Sequence, residues 1–172
     1  QTNLGWMHQQ GKGGLKQDDV EAARWYALAA AQKDRGAQFN LGVMYAHGTG
    51  VAQDDTKAVE LWTLAAEQGF ARAQSDLGVM HVSGRGGLPQ DFAQAAMWWK
   101  RAADQGEEDA IKYLRIVLDT LLFPPGTAVQ LVGLKAASFN GKRGTVVPSK
   151  AAGIGKVAVL VEGGKKYQLA FE

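Results

Sequence analysis

Few residues in this chain are of a type and spacing that does chemistry. His8, His47 and His81 could hold a metal or relay a proton, but no acidic residue recurs beside them at ligand spacing. The pairs Asp18-Asp19 and Asp54-Asp55 offer adjacent carboxylates, as acid–base pairs and cation sites do. Gly153-Ile154-Gly155-Lys156 has the glycines and lysine of a phosphate loop, yet no glycine stands five residues before Gly155 and no Ser or Thr follows Lys156. That reading is rejected. With no cysteine, thiolate zinc sites, cysteine-ligated clusters, cysteine nucleophiles and disulfides are all excluded. The remaining set is Lys142, Arg143, Lys165 and Lys166 with Phe139 and Tyr167 nearby: basic groups for phosphates and rings for stacking. Against it, Tyr167 and Phe171 share an inward-facing alternation, and lysines on hairpins also serve to protect sheet edges.

The elements that must position these residues fall into two parts. The chain has 172 residues, enough to bury a core, and its net charge of +2 conceals a division at Pro124-Pro125-Gly126. Residues 1–123 carry 12 basic and 15 acidic side chains, a balance of −3; residues 124–172 carry seven and two, a balance of +5. Alanine and tryptophan dominate before the boundary, and glycine with alternating valine after it. No apolar run approaches the ~18–20 residues that span a bilayer, so no membrane insertion is expected. The expected location is soluble, intracellular or organellar, with a plastid open if the source is an alga.

Glycine occurs 22 times, and much of it recurs at a fixed interval. Leu4-Gly5, Leu41-Gly42 and Leu77-Gly78 are spaced by 37 and 36 residues. In the same register stand Asp18, Asp54 and Asp91; Trp25, Leu61 and Trp98; Tyr26, Trp62 and Trp99; and the pairs Ala29-Ala30, Ala65-Ala66 and Ala102-Ala103. Each unit reads as two helices. In the middle unit the first spans about 37–46, and the second, about 54–68, sets Ala58, Leu61, Trp62 and Ala65 on one apolar stripe. Asp54 is its expected N-cap, the pairs Asp18/Glu21 and Asp91/Gln94 have capping-box spacing, and Gly69 and Gly106 are expected left-handed C-caps, with Lys33 in that place in the first unit. A glycine inside the first helix costs about 1 kcal/mol against alanine. Its recurrence at Gly5, Gly42 and Gly78 predicts close approach of the partner helix, with the Trp/Tyr positions filling the space around it.

The pattern Ala37, Leu41-Gly42, Tyr45, Gly48-Thr49-Gly50-Val51, Asp54, Lys57-Ala58, Leu61-Trp62, Ala65-Ala66 and Gln68-Gly69 resembles the Sel1-like repeats, relatives of the tetratricopeptide repeats. The resemblance covers residues 1 to about 121. It implies an α-solenoid used for protein interaction, without catalytic residues. In this register His8 and His81 take the packing slot of Tyr45, the aspartate pairs lie at helix starts, and Trp98-Trp99 is core with one ring near the edge of the stripe. Gln1 aligns with Gln38, so the sequence is expected to begin inside a first helix of a longer parent protein. Ile111, Leu114, Val117, Leu118 and Leu121 form a stripe expected to cap the stack.

Beyond Pro124 the period changes to two. Val129 and Leu131, Thr145 to Val147, Val157/Val159/Val161 and Tyr167/Leu169/Phe171 predict four or five short strands, with turns at Asn140-Gly141 and Gly163-Gly164. A module this small would close best as a barrel. The segment resembles Src-homology-three-like barrels of the KOW type and is similar to modules that accompany ankyrin repeats in proteins of unicellular algae.

The expected fold is therefore α+β: an all-α solenoid of helix-turn-helix repeats over 1–123, followed by a small all-β barrel over 124–172. The expected function is a non-enzymatic scaffold for other proteins in a large complex, needing no cofactor or metal. An RNA-binding adaptor acting through Lys142, Arg143, Lys165 and Lys166 is the alternative.

Overall fold

The helix starts follow from aspartate chemistry. In the computed structural model, which describes residues 1–117 and the backbone of 128–130, 143–146, 156–161 and 165–170, the carboxylates of Asp18, Asp54 and Asp91 each accept the amide three residues on, at 2.9–3.0 Å. The helices are α1 (Thr2–Gln10), α2 (Asp19–Ala31), α3 (Arg35–His47), α4 (Asp55–Glu67), α5 (Ala71–Ser83), α6 (Phe92–Ala103) and α7 (Glu108–Val117). The reciprocal arm of the expected capping box is replaced by a tertiary bond. The amides of Asp18, Asp54 and Asp91 donate instead to the carbonyls of His8, Tyr45 and His81, each at 2.9 Å, which ties every second helix to the one before it.

The second helices end on a shared device. Gly69 at φ 78° and Gly106 at φ 86° adopt the left-handed conformation expected of them, and Lys33 holds φ 65° in the same place. In the middle unit the Gly69 amide donates to Ala66 at 2.9 Å and the Phe70 amide to Ala65 at 3.0 Å, a paired closure of the helix end repeated at Lys33/Asp34 and Gly106/Glu107.

Two compact units divide the chain, Gln1–Glu107 and Glu108–Glu172. In the first, packing zigzags from α1 to α2, α2 to α3 and onward to α6. One core cluster joins Ala22, Tyr26 and Ala29 of α2 to Ala37, Leu41 and Met44 of α3, and the next joins Ala58, Trp62 and Ala65 of α4 to Ala73, Leu77 and Met80 of α5. The buried apolar surface thus lies between hairpins as much as within them, so neighbouring hairpins are mutually dependent. Gly50 and Gly86 tighten these junctions. A Cβ on Gly50 would meet the Asp19 carbonyl, and one on Gly86 would lie 2.5 Å from Val59 and 2.7 Å from the Asp55 carbonyl. Arg85 adds a two-pronged bond to Asp55 at 2.9 and 3.0 Å.

In the second unit α7 buries Ala110, Leu114 and Val117. Strands β1 (Ala128–Gln130), β2 (Arg143–Val146), β3 (Lys156–Val161) and β4 (Lys165–Ala170) form an antiparallel sheet in sequential order. Pairing of Val157 with Leu169 and Val159 with Tyr167 matches the two alternating series expected from sequence. Leu118, Leu121, Leu131, Phe139, the Asn140-Gly141 and Gly163-Gly164 turns, Lys142 and Phe171 lie outside the described residues, as does closure of the barrel.

Candidate interaction surface

The repeat positions singled out by sequence build the frame of the surface. Gly5, Gly42 and Gly78 face Tyr26, Trp62 and Trp99, and a Cβ on Gly42 would lie 2.6 Å from the Trp62 Nε1. The indole N–H of Trp62 donates to the Phe39 carbonyl at 3.2 Å and that of Trp99 to the Ser75 carbonyl at 2.9 Å. Tyr26 substitutes a phenol that donates to Gln9 at 3.0 Å. Burial pushes the Tyr26 phenol above its ordinary value, opposed by a hydrogen bond with Asn40. Trp25 and Trp98 occupy the half-buried neighbouring position, with the Arg101 guanidinium 4.9 Å from the Trp98 ring.

His8 and His81 are half-buried, as Tyr45 is, and their carbonyls make the same bonds as its carbonyl. Each has a buried Nδ1 without a hydrogen-bond partner. Among the described residues, no group of three or more His, Asp or Glu converges to hold a metal ion. Accepting the Lys57 amide holds the Asp54 carboxyl below its usual range, consistent with a cap.

A row of glutamines ties the helices together, and periodicity alone does not reveal it. Gln74 is buried, donates to the Ala66 carbonyl of the preceding hairpin at 3.0 Å and accepts from Gln105 at 2.8 Å. Gln38 is likewise buried and accepts from Gln68 at 2.7 Å, and Gln1 accepts from Gln32 at 2.7 Å. The visible signal was the spacing of Gln1, Gln38 and Gln74 by 37 and 36 residues, the interval of the repeat. An apolar-stripe reading gives no role to an amide on the buried side.

On this frame the first helices present a row of side chains. Trp6 is 44% exposed, Val43 half-buried and Val79 41% exposed at equivalent positions of α1, α3 and α5. Asn3, Asn40 and Asp76 stand three residues before them and Gln10, His47 and Ser83 four residues after, which keeps all three sets on one helix face. Lys12 lies 4.6 Å from the Trp6 ring. The second helices expose Leu28 and Leu64, which the third hairpin replaces with Arg101, so that row is not continuous.

The predicted basic set is divided by the sheet. The register puts Lys165 on the face of Val157, Val159, Val161 and Tyr167, whereas Arg143 and Lys166 fall on the opposite face together with Lys156.

Three segments, 1–34, 36–70 and 71–107, match the Sel1 repeat. The chain belongs to the Sel1 repeat family. These Sel1 repeats coincide with the three helical hairpins. Their fold is similar to the crystal structure of a Sel1 repeat protein from Oxalobacter formigenes, at 33% identity and a TM-score of 0.66 over 69% of this chain and 47% of that one. It is also similar to c5321, a protective antigen present in uropathogenic Escherichia coli strains displaying an SLR fold, at 34% identity and a TM-score of 0.66 over 70% of this chain and 25% of that one. The chain thus spans about half and a quarter of the lengths of these two structures. No curated protein matches it. Sel1 repeats form a non-enzymatic interaction fold. Among the described residues no helix is long and apolar enough to cross a membrane.

Proposed function

We propose that this Sel1 repeat chain is a scaffold that holds another polypeptide against its first helices, within a larger assembly. The row Trp6, Val43 and Val79 carries the reading: apolar groups recur at one helical position, exposed at Trp6 and Val79 and half-buried at Val43, and are bordered by the polar side chains of Asn3, Asn40 and Asp76 on one side and Gln10, His47 and Ser83 on the other. The frame beneath that row is fixed by the buried Trp/Tyr–glycine contacts, which lowers the backbone ordering cost of binding. We read residues 124–172 as the small barrel that their alternation suggests, a second module that follows the repeats in sequence.

Affinity capture with the full chain, compared with the doubly substituted Trp6→Ser/Val79→Asp chain, tests this. Both positions are exposed, so the variant should keep its helical circular dichroism and thermal midpoint while losing its partner by tenfold or more. A partner retained equally by both chains would contradict the assignment of this face.

A further inference from the structure

Charge divides the two helices of each hairpin. First helices with the turns that follow them, residues 1–17, 35–53 and 71–90, carry five basic side chains and one acidic, a balance of +4. Second helices with their caps and end turns, residues 18–34, 54–70 and 91–107, carry five basic and eleven acidic, a balance of −6. The row of Trp6, Val43 and Val79 therefore belongs to the net positive set of helices, and the positive charge along it is uneven. Arg35 and Arg85 are bound within the fold, to the Gln68 carbonyl and the Asp55 carboxylate. Lys12 and Lys16 are exposed, and neither forms an ion pair among the described residues. Residues 1–17 contain no acidic side chain.

These two lysines accompany the most exposed member of the row. The Lys12 ammonium is 4.6 Å from the Trp6 ring, and the Leu15 amide donates to the Lys12 carbonyl at 3.3 Å, a tight turn with Lys16 directly after it. In the place of Lys12 the other hairpins have Thr49, which is uncharged, and Arg85, which Asp55 holds. At the far end of the row Arg72 is accompanied by Asp76, four residues on along the same face of α5. The uncompensated positive charge thus gathers at the Trp6 end. Such an arrangement selects among anions. A polymer charged at every unit would lay charge along Val43 and against Asp76, where nothing offsets its desolvation. A polypeptide can place carboxylates at the lysines and apolar side chains along the rest of the row, and covering the Trp6 ring strengthens the ion pairs next to it by removing water. We infer, on the basis of the scaffold reading, that the held polypeptide is acidic where it crosses α1: it sets an apolar side chain on Trp6 and flanks it with Asp or Glu residues that pair with Lys12 and Lys16.

Selection of a random peptide library on the immobilised full chain tests this. Peptides of about twelve residues reach ~40 Å when extended, enough to cross the row. Enriched peptides should carry Asp or Glu beside an apolar residue clearly more often than the starting library. A labelled enriched peptide should bind the full chain in fluorescence anisotropy, with an affinity that falls as salt rises from about 50 to about 200 mM. Lys12→Gln/Lys16→Gln should weaken that peptide by about fivefold or more, and Lys12→Arg/Lys16→Arg should keep it bound. Arg24→Gln/Lys33→Gln removes the same charge from the second-helix side of the same hairpin and should leave binding unchanged. All four positions are exposed, so the variants should keep their helical circular dichroism; were either glutamine pair to unfold, its single substitutions decide, each of Lys12→Gln and Lys16→Gln weakening the peptide by about twofold. Enriched peptides that are lost by Trp6→Ser/Val79→Asp yet show no acidic preference would overturn this inference and leave the scaffold reading standing. Peptides indifferent to Trp6→Ser/Val79→Asp, or a library that yields no binder, would overturn the scaffold reading and this inference with it. Equal weakening by the two glutamine pairs, or displacement by poly(U) as effective as by the unlabelled peptide, would also overturn the inference.

Discussion

Single residues decide how closely the helices of each hairpin approach. Gly42 lets Trp62 lie where a Cβ would stand 2.6 Å from its Nε1, so the intrinsic helix advantage of alanine, about 1 kcal/mol, is expected to lose to overpacking of ~1–3 kcal/mol. Gly42→Ala should therefore lower stability in urea unfolding, and a variant more stable than the parent would refute the packing role. The opposite sign is expected at Lys33. This lysine holds φ 65° where the other two hairpins place Gly69 and Gly106, and its backbone bonds to Ala30 and the next residue's bond to Ala29 need no side chain. Relief of the left-handed strain should make Lys33→Gly more stable by roughly 0.5–1 kcal/mol, read as a shift of the urea midpoint at constant slope. A destabilised Lys33→Gly chain would show that the lysine side chain contributes more than its backbone costs.

Elements are joined by apolar clusters and by the glutamine row that bridges consecutive hairpins. Gln74→Met keeps the volume and removes both bonds, leaving the Ala66 carbonyl with only its Gly69 partner, so a loss of about 1–3 kcal/mol is expected. Gln32→Met, at the exposed end of the row, should change stability by less than about 0.5 kcal/mol. Equal effects in equilibrium unfolding would contradict the bridging role. Much of this level was legible in the sequence. The interval of 36 and 37 residues located the hairpins, and a glycine costly inside a helix pointed to its aromatic partner. The rest was hidden for physical reasons. A buried glutamine looks like a surface residue until two neighbouring helices supply its partners, and the amide of an N-cap aspartate can turn to a tertiary carbonyl instead of completing a capping box. The sheet register likewise separated Lys165 from Arg143 and Lys166, which sequence proximity had grouped together.

At the scale of the whole molecule, charge is unevenly divided: residues 1–123 carry a balance of −3 and residues 124–172 one of +5. The repeats of residues 1–107 present one row of side chains on a frame set by buried aromatics, and the strands of the second unit form an antiparallel sheet. The scaffold proposed above would bind along several helices at once, so its partner should protect α1, α3 and α5 together rather than any single loop. Hydrogen–deuterium exchange of the full chain, alone and saturated with its captured partner, reads this directly. The account predicts slowed exchange in peptides spanning residues 2–10, 35–47 and 71–83, with α2 and α4 little changed. Protection confined to the second helices, or absent from the first 107 residues altogether, would contradict it.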